Sequence, residues 1–129
     1  MPRPITISSG QWWDVPFETL CQMMAEFGYD GLELACWGDH FDVERALSDD
    51  AYLPHRRDVL EKYGLKCYAI SNHNVGQAIC DVIDEKNRFA LPAHIWGDGK
   101  EEGVRRRAAE NMQNAARAAA RFGVPVISG

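Results

Sequence analysis

Three times along this chain an amphipathic helical pattern ends in an aromatic residue and a glycine, and a short apolar run follows at once. Phe27-Gly28 leads into Leu32-Glu33-Leu34-Ala35-Cys36, Tyr63-Gly64 into Lys66-Cys67-Tyr68-Ala69-Ile70-Ser71, and Phe122-Gly123 into Val126-Ile127-Ser128. Each glycine falls where a left-handed residue closes a helix, and the aromatic before it can pack back on the last turn. The apolar runs are too short and too apolar for half-exposed strands, which suits a parallel sheet covered by helices.

The helical patterns have distinct faces. Val104, Ala108, Met112, Ala115, Ala119 and Phe122 recur at steps of three and four, while Arg105, Arg106, Glu110 and Gln113 take the other side. The first helix is predicted to start with Asp14 as N-cap and Pro16 in its first turn, with Phe17, Leu20, Cys21, Met24 and Phe27 along one stripe. A shorter pattern from about Pro54 to Tyr63 anchors on Val59, Leu60 and Tyr63. With Ile5-Thr6-Ile7-Ser8 as the opening strand, the chain reads as α/β in the order β-α-β-α-β-α-β, with short αβ returns and right-handed crossovers.

The connections are unequal. Residues 73 to about 101 form a long loop after the third strand, carrying Asn74, Gln77, Trp96 and Asp98, and the loop after the second strand holds Trp37-Gly38-Asp39-His40-Phe41-Asp42. Long, polar, aromatic-rich loops at the carboxyl ends of parallel strands are where βα folds keep their chemistry. Such a strand set is half of a doubly wound sheet or the first half of a βα barrel. No GxGxxG follows the first strand and no Walker lysine motif occurs, so a nucleotide-binding sheet is disfavoured. A flavodoxin-like sheet needs a fifth strand after Gly129, and the expectation is therefore the amino-terminal half of a longer protein.

Composition adds boundaries. The 129 residues are 46% hydrophobic and 26% charged, as in an ordinary globular domain. Nineteen acidic against 14 basic residues give a net charge of −5, which argues against a broad nucleic-acid or anionic-membrane footprint. The one basic run, Arg105 to Arg107, reads as a solvated helix face. No apolar run is long enough to span a bilayer and the start lacks a secretory pattern, so the expected location is cytoplasmic. Cys21, Cys36, Cys67 and Cys80 form no CxxC pair and read as buried free thiols.

Candidate chemistry lies at the strand ends. Period-two alternation points Glu33, Ala35 and Trp37 away from the side taken by Leu32 and Leu34, and a carboxylate there is either paired at a layer edge or engaged with substrate. His73 closes the third strand with the parity of Ser71, Ala69 and Cys67. An imidazole in that place serves as general acid or base, hydroxyl ligand or metal ligand, with Asn72 and Gln77 beside it as substrate contacts. His40 is a further substrate candidate, although Asp39 or Asp42 around it can simply cap a short helix. Trp12, Trp13, Trp37 and Trp96 all fall in βα loops, where flat rings stack on a sugar or plug a barrel mouth, and Trp13 joins the candidate substrate contacts. No HExxH pair or serine nucleophile elbow is present, so a self-sufficient catalytic constellation is not expected from these residues.

Several stretches carry a family likeness. The opening Pro4-Ile5-Thr6 to Gly10-Gln11-Trp12, the segment from Phe27 through Gly31-Leu32-Glu33-Leu34 to Cys36-Trp37-Gly38-Asp39-His40-Phe41, and Ser71-Asn72-His73 with Val75-Gly76-Gln77 resemble the sugar phosphate isomerase/epimerase superfamily, the xylose-isomerase-like barrels. The resemblance implies that residues 1–129 are the N-terminal part of a (β/α)8 TIM barrel, which typically takes about 250 residues. It implies an isomerase or epimerase of sugars, sugar phosphates or polyols that moves a proton next to a carbonyl. A divalent metal (Mn, Mg, Co or Zn) is implied as cofactor, with ligands mostly outside this chain and no metal ligand assigned within it. Glu33 and His73 match pocket-lining positions of the family, followed by His40 and Trp37. The expected partner is a small-molecule sugar or polyol, with no nucleic acid and no membrane, and assembly into a homo-oligomer is left open. The rival readings are a barrel of the metal-dependent apurinic-site endonuclease branch, which places a metal ligand at the third-strand histidine, and a non-catalytic half-barrel.

Overall fold

A computed structural model describes residues 2–129. Strand β1 (Thr6–Ser8) is followed by a 3-10 turn (Gly10–Trp12), helix α1 (Phe17–Glu26), β2 (Gly31–Ala35), α2 (Val43–Ser48), α3 (Tyr52–Lys62) and β3 (Lys66–Ser71). The long connection then contains α4 (His73–Gly76), a second 3-10 turn (Gln77–Ile79), α5 (Glu85–Ala90) and α6 (Ala93–Trp96), before α7 (Glu101–Phe122) and β4 (Ile127–Ser128). The four strands are all parallel and lie in chain order, β1-β2-β3-β4. That order has no reversal point, so it is the arrangement of a barrel segment and not of a doubly wound sheet. No helix among the described residues is long and apolar enough to cross a membrane.

Pairing assigns each side chain to a face. Ile7 sits opposite Leu32, Leu32 opposite Cys67, and Ile70 between Leu34 and Ile127. These residues meet Phe17, Leu20 and Met24 of α1, Val59 and Leu60 of α3, and Ala115, Ala119 and Phe122 of α7 in the main core. The other parity, with Ser8, Glu33, Ala69, Ser71 and Ser128, forms a polar face. A smaller core of Val75, Ala78, Leu91, Ile95, Val104 and Ala108 folds the long connection onto the first half of α7.

The three repeat glycines do close their helices with positive φ, at 86° for Gly28, 68° for Gly64 and 78° for Gly123. The aromatic partners behave differently: Phe122 is buried, whereas Phe27 is 64% exposed and does not pack back. The predicted Asp14 cap is also corrected. Helix α1 begins at Phe17 after Pro16, and the Phe17 N–H donates to Asp39 Oδ2 at 3.0 Å, a residue from the loop beyond β2. Asp42 does cap α2, accepting from the Arg45 N–H at 3.0 Å.

Alternation in β3 is broken as well. Leu32 pairs with Cys67 but Glu33 pairs with Ala69, so Tyr68 is an extra residue and the register shifts. Cys67 therefore packs with the main core, while Ala69 and Ser71 share the polar face, and the expected common parity of Cys67 with Ser71 does not hold. The inserted Tyr68 lays its ring against Gly31, where a Cβ would collide with it. Among the cysteines, Cys21 is buried and Cys36 and Cys67 half-buried, but Cys80 is exposed. Burial pushes the thiols of Cys21, Cys36 and Cys67 up to about 12, so they pack as neutral groups. The Arg105–Arg107 run is not merely a solvated face. Arg107 donates to the carbonyls of Ile95 and Trp96 at 2.7 and 2.8 Å, and Arg105 to that of Asp81 at 2.8 Å, so both hold the long connection against α7.

Candidate functional site

The carboxyl ends of β2 and β3 bring two of the expected residues together. Trp37 follows β2 and His73 opens α4 directly after β3, with ring centroids 4.8 Å apart in an edge-to-face arrangement at 80°. Trp37 is held from below: its Nε1–H donates to the Gly10 carbonyl at 3.2 Å, and its ring covers Gly10 so closely that a side chain there would collide. His73 is held by Ser71, whose Oγ lies 3.0 Å from Nδ1. The serine is fully buried and the histidine exposed, so one ring nitrogen is anchored and Nε2 is left to solvent or ligand. Glu33 is half-buried on the same polar face, opposite Ser8 on one side and Ala69 on the other.

The other candidates make neither a side-chain hydrogen bond nor a ring contact with this pair among the described residues. His40 is completely buried, with Nδ1 2.9 Å from Ser9 Oγ and Nε2 3.0 Å from the Val15 carbonyl. The Val15 carbonyl can only accept, so Nε2 carries the hydrogen and donates to it, and Nδ1 of the neutral ring accepts the hydroxyl hydrogen of Ser9, whose Oγ accepts the Ala35 N–H at 2.9 Å. Both ring nitrogens are thus spent on tying the β2 loop to the β1 loop. Burial holds the His40 imidazole below its ordinary pKa, against the opposing effects of the Val15 bond and Asp39, with Arg56 adding to the lowering. Asn72 is buried on the helix side, where its Nδ2 donates to Asn111 Oδ1 of α7 at 2.9 Å, turned away from His73. Gln77 is exposed in the 3-10 turn after α4, and Trp13 is 61% exposed beside the β1 turn.

Three residues important to the site's frame, Ser9, Arg56 and Asn111, are not singled out by the sequence, and Asp39, expected at most to cap the short helix after it, instead takes the Phe17 N–H at the start of α1. Arg56 is almost fully buried between the rings of Phe17 and Tyr52, 4.3 and 4.8 Å from their centroids, and donates to the Asp39 carbonyl at 2.8 Å and to Oδ1 at 3.3 Å. Partial burial opposes ionisation of Asp39, but the Phe17 N–H and Arg56 outweigh it and hold the carboxyl below its ordinary value. The Tyr52 hydroxyl accepts the Asp42 N–H at 2.7 Å. Together these bonds fix the loop that presents Trp37.

A cleft of about 410 Å³, lined by Leu60, Leu65, Cys67, Phe122 and Val124, opens at the amino ends of β3 and β4, away from Trp37 and His73. Parallel βα folds place their chemistry at the carboxyl ends, so the Trp37–His73 corner is the stronger candidate. Among the described residues no three His, Cys, Asp or Glu side chains converge to hold a metal ion. The residues present thus do not by themselves fit a divalent metal.

Comparison with curated proteins returns no match. A family model, that of the xylose isomerase-like TIM barrels, matches residues 21–128, a span holding β2 to β4 and every candidate site residue except Trp13. The chain belongs to the xylose isomerase-like TIM barrel family.

Proposed function

We propose that this chain supplies one wall of the active site of a sugar, sugar phosphate or polyol isomerase or epimerase. The observation that carries the reading is His73 at the end of β3, anchored through Nδ1 by buried Ser71, flanked by Trp37 and open at Nε2. A ring held at one nitrogen and free at the other can hold or move a proton at a substrate oxygen. The reaction it suits is internally balanced. A proton leaves the carbon next to a carbonyl, the electron pair forms the C=C bond of an enediol as the carbonyl becomes C–O, and the proton returns to a neighbouring carbon or to the opposite face. No external oxidant or reductant is consumed.

In this scheme His73 meets the oxygen on which charge develops, Trp37 offers a flat face to the C–H side of the substrate, and Glu33 accepts bonds from substrate hydroxyls. The small-molecule partner is also supported by the acidic balance, since a net charge of −5 is a poor match for a DNA backbone. The test is turnover of a panel of ketoses, ketose phosphates and inososes by the protein, with His73→Ala as comparison. The expected result is a loss of at least about tenfold in kcat/KM, equivalent to roughly 1.4 kcal/mol of transition-state stabilisation. Cleavage of abasic-site DNA without turnover of any member of the panel would overturn the reading.

A further inference from the structure

We infer that Ser71 is a positioning residue that holds neutral His73 in the tautomer with hydrogen on Nε2, so that His73 meets the substrate as a hydrogen-bond donor and not as a base. The inference rests on the proposed site and adds the sense in which its histidine works.

Ser71 is fully buried on the polar face of β3, between Ala35 of β2 and Ser128 of β4. Among the described residues its hydroxyl makes one hydrogen bond, to His73 Nδ1 at 3.0 Å. Two arrangements fit that distance. If Nδ1–H donated to Ser71, the serine hydrogen would be left buried with no acceptor, a loss larger than the bond itself is worth. If the serine donates, its hydrogen is satisfied, Nδ1 is the acceptor, and the hydrogen of the neutral ring sits on exposed Nε2. Ring orientation does not undo this assignment. Trp37 packs edge-to-face against the imidazole, and is itself locked over Gly10 by its Nε1–H bond to that carbonyl. A ring flip would put carbon where Nδ1 now meets the hydroxyl.

His40 provides the contrast. There too a serine hydroxyl, that of Ser9, donates to Nδ1, but Nε2–H is consumed by the Val15 carbonyl. The two histidines share one serine-set tautomer, and differ in whether the Nε2–H is spent on the protein or available to a ligand. An available neutral N–H polarises a carbonyl oxygen and stabilises the enediolate that forms from it. The carbon-bound proton is then taken by a different group.

The tautomer is readable on the ligand-free chain by nitrogen-15 NMR of the His73 ring at a pH where it is neutral. The expected spectrum has Nε2 protonated and Nδ1 bare. Ser71→Ala shifts the tautomer ratio toward Nδ1–H by about fivefold, the size of one net hydrogen bond, and Ser71→Thr, which keeps the hydroxyl, restores the original ratio. A wild-type spectrum with Nδ1 protonated overturns the inference, whatever the variants do. The kinetic arm is His73→Gln, whose terminal amide N–H stands in for Nε2–H. For a donor it retains at least about tenfold more kcat/KM than His73→Ala, and equal losses in the two variants overturn the donor role. Failure of the whole substrate panel would count against the proposed function, whereas the tautomer stands or falls on the NMR spectrum.

Discussion

His40 and His73 follow adjacent strands and both have a serine hydroxyl at Nδ1, yet only one has a nitrogen to offer. The difference is burial. His40 is sealed beneath the β2 loop, so its neutral form is part of the folded structure. Because the folded state binds its proton less readily than the unfolded chain, stability is complete above the ordinary value of 6.5 and falls as pH drops below it. Urea unfolding at pH 7 and pH 5 checks this: His40→Gln should cost about 1–3 kcal/mol at pH 7 and should flatten the pH dependence between the two values. An unchanged slope would show that another group carries the acid sensitivity. From the sequence His73 reads as the catalytic candidate closing β3 and His40 as a further substrate contact in the loop after β2, so both are expected to face a ligand. Their roles separate only when Ser9 and Val15, brought in from the β1 loop, are seen around one of them.

At the scale of elements, the loop from Trp37 to Asp42 does its work through backbone geometry as much as side chains. Gly38 has φ of 66°, and a Cβ on it would run into the Trp13 carbonyl. Gly28, with φ of 86°, has open space around it. Gly28→Val should therefore cost only the strain of a left-handed residue, somewhat more than about 1 kcal/mol. Gly38→Ala adds a backbone collision and should cost about 3 kcal/mol or more while disturbing Trp37. Thermal unfolding of both variants, with tryptophan fluorescence as the local report, tests the ordering. The capping glycines were legible because a helix end needs its left-handed residue within one turn. The Asp39 cap on α1 was not, because its acceptor comes from 22 residues away and only the folded loop delivers it.

For the whole molecule, the parallel sheet is protected unevenly. β2 and β3 are paired on both sides, while β1 and the short β4 each pair on one. Native-state hydrogen exchange should find the slowest amides in β2, β3 and the second half of α7, which share the main core, with the edge strands and the smaller core around α5 and α6 opening at lower free energy. Uniform protection across all four strands would contradict this division. The same asymmetry matters to the site, since His73 is anchored through Ser71 of a doubly paired strand while α4 to α6 belong to the less protected part.

Local periodicity was enough to reveal the alternation of strands and helices, the apolar face of α7 and the glycines that end three helices, because each depends on neighbours within a few residues. It also placed Trp37 and His73 at strand ends. Tertiary structure alone decided the rest. The Tyr68 bulge moved Cys67 off the polar face, Asp39 with Arg56 braced the loop under Trp37, Asn72 turned to Asn111, and Ser71 rather than a residue of the long loop became the partner of His73. Each depends on which strands pair, in what register, and so on contacts between residues that spacing along the chain leaves unrelated.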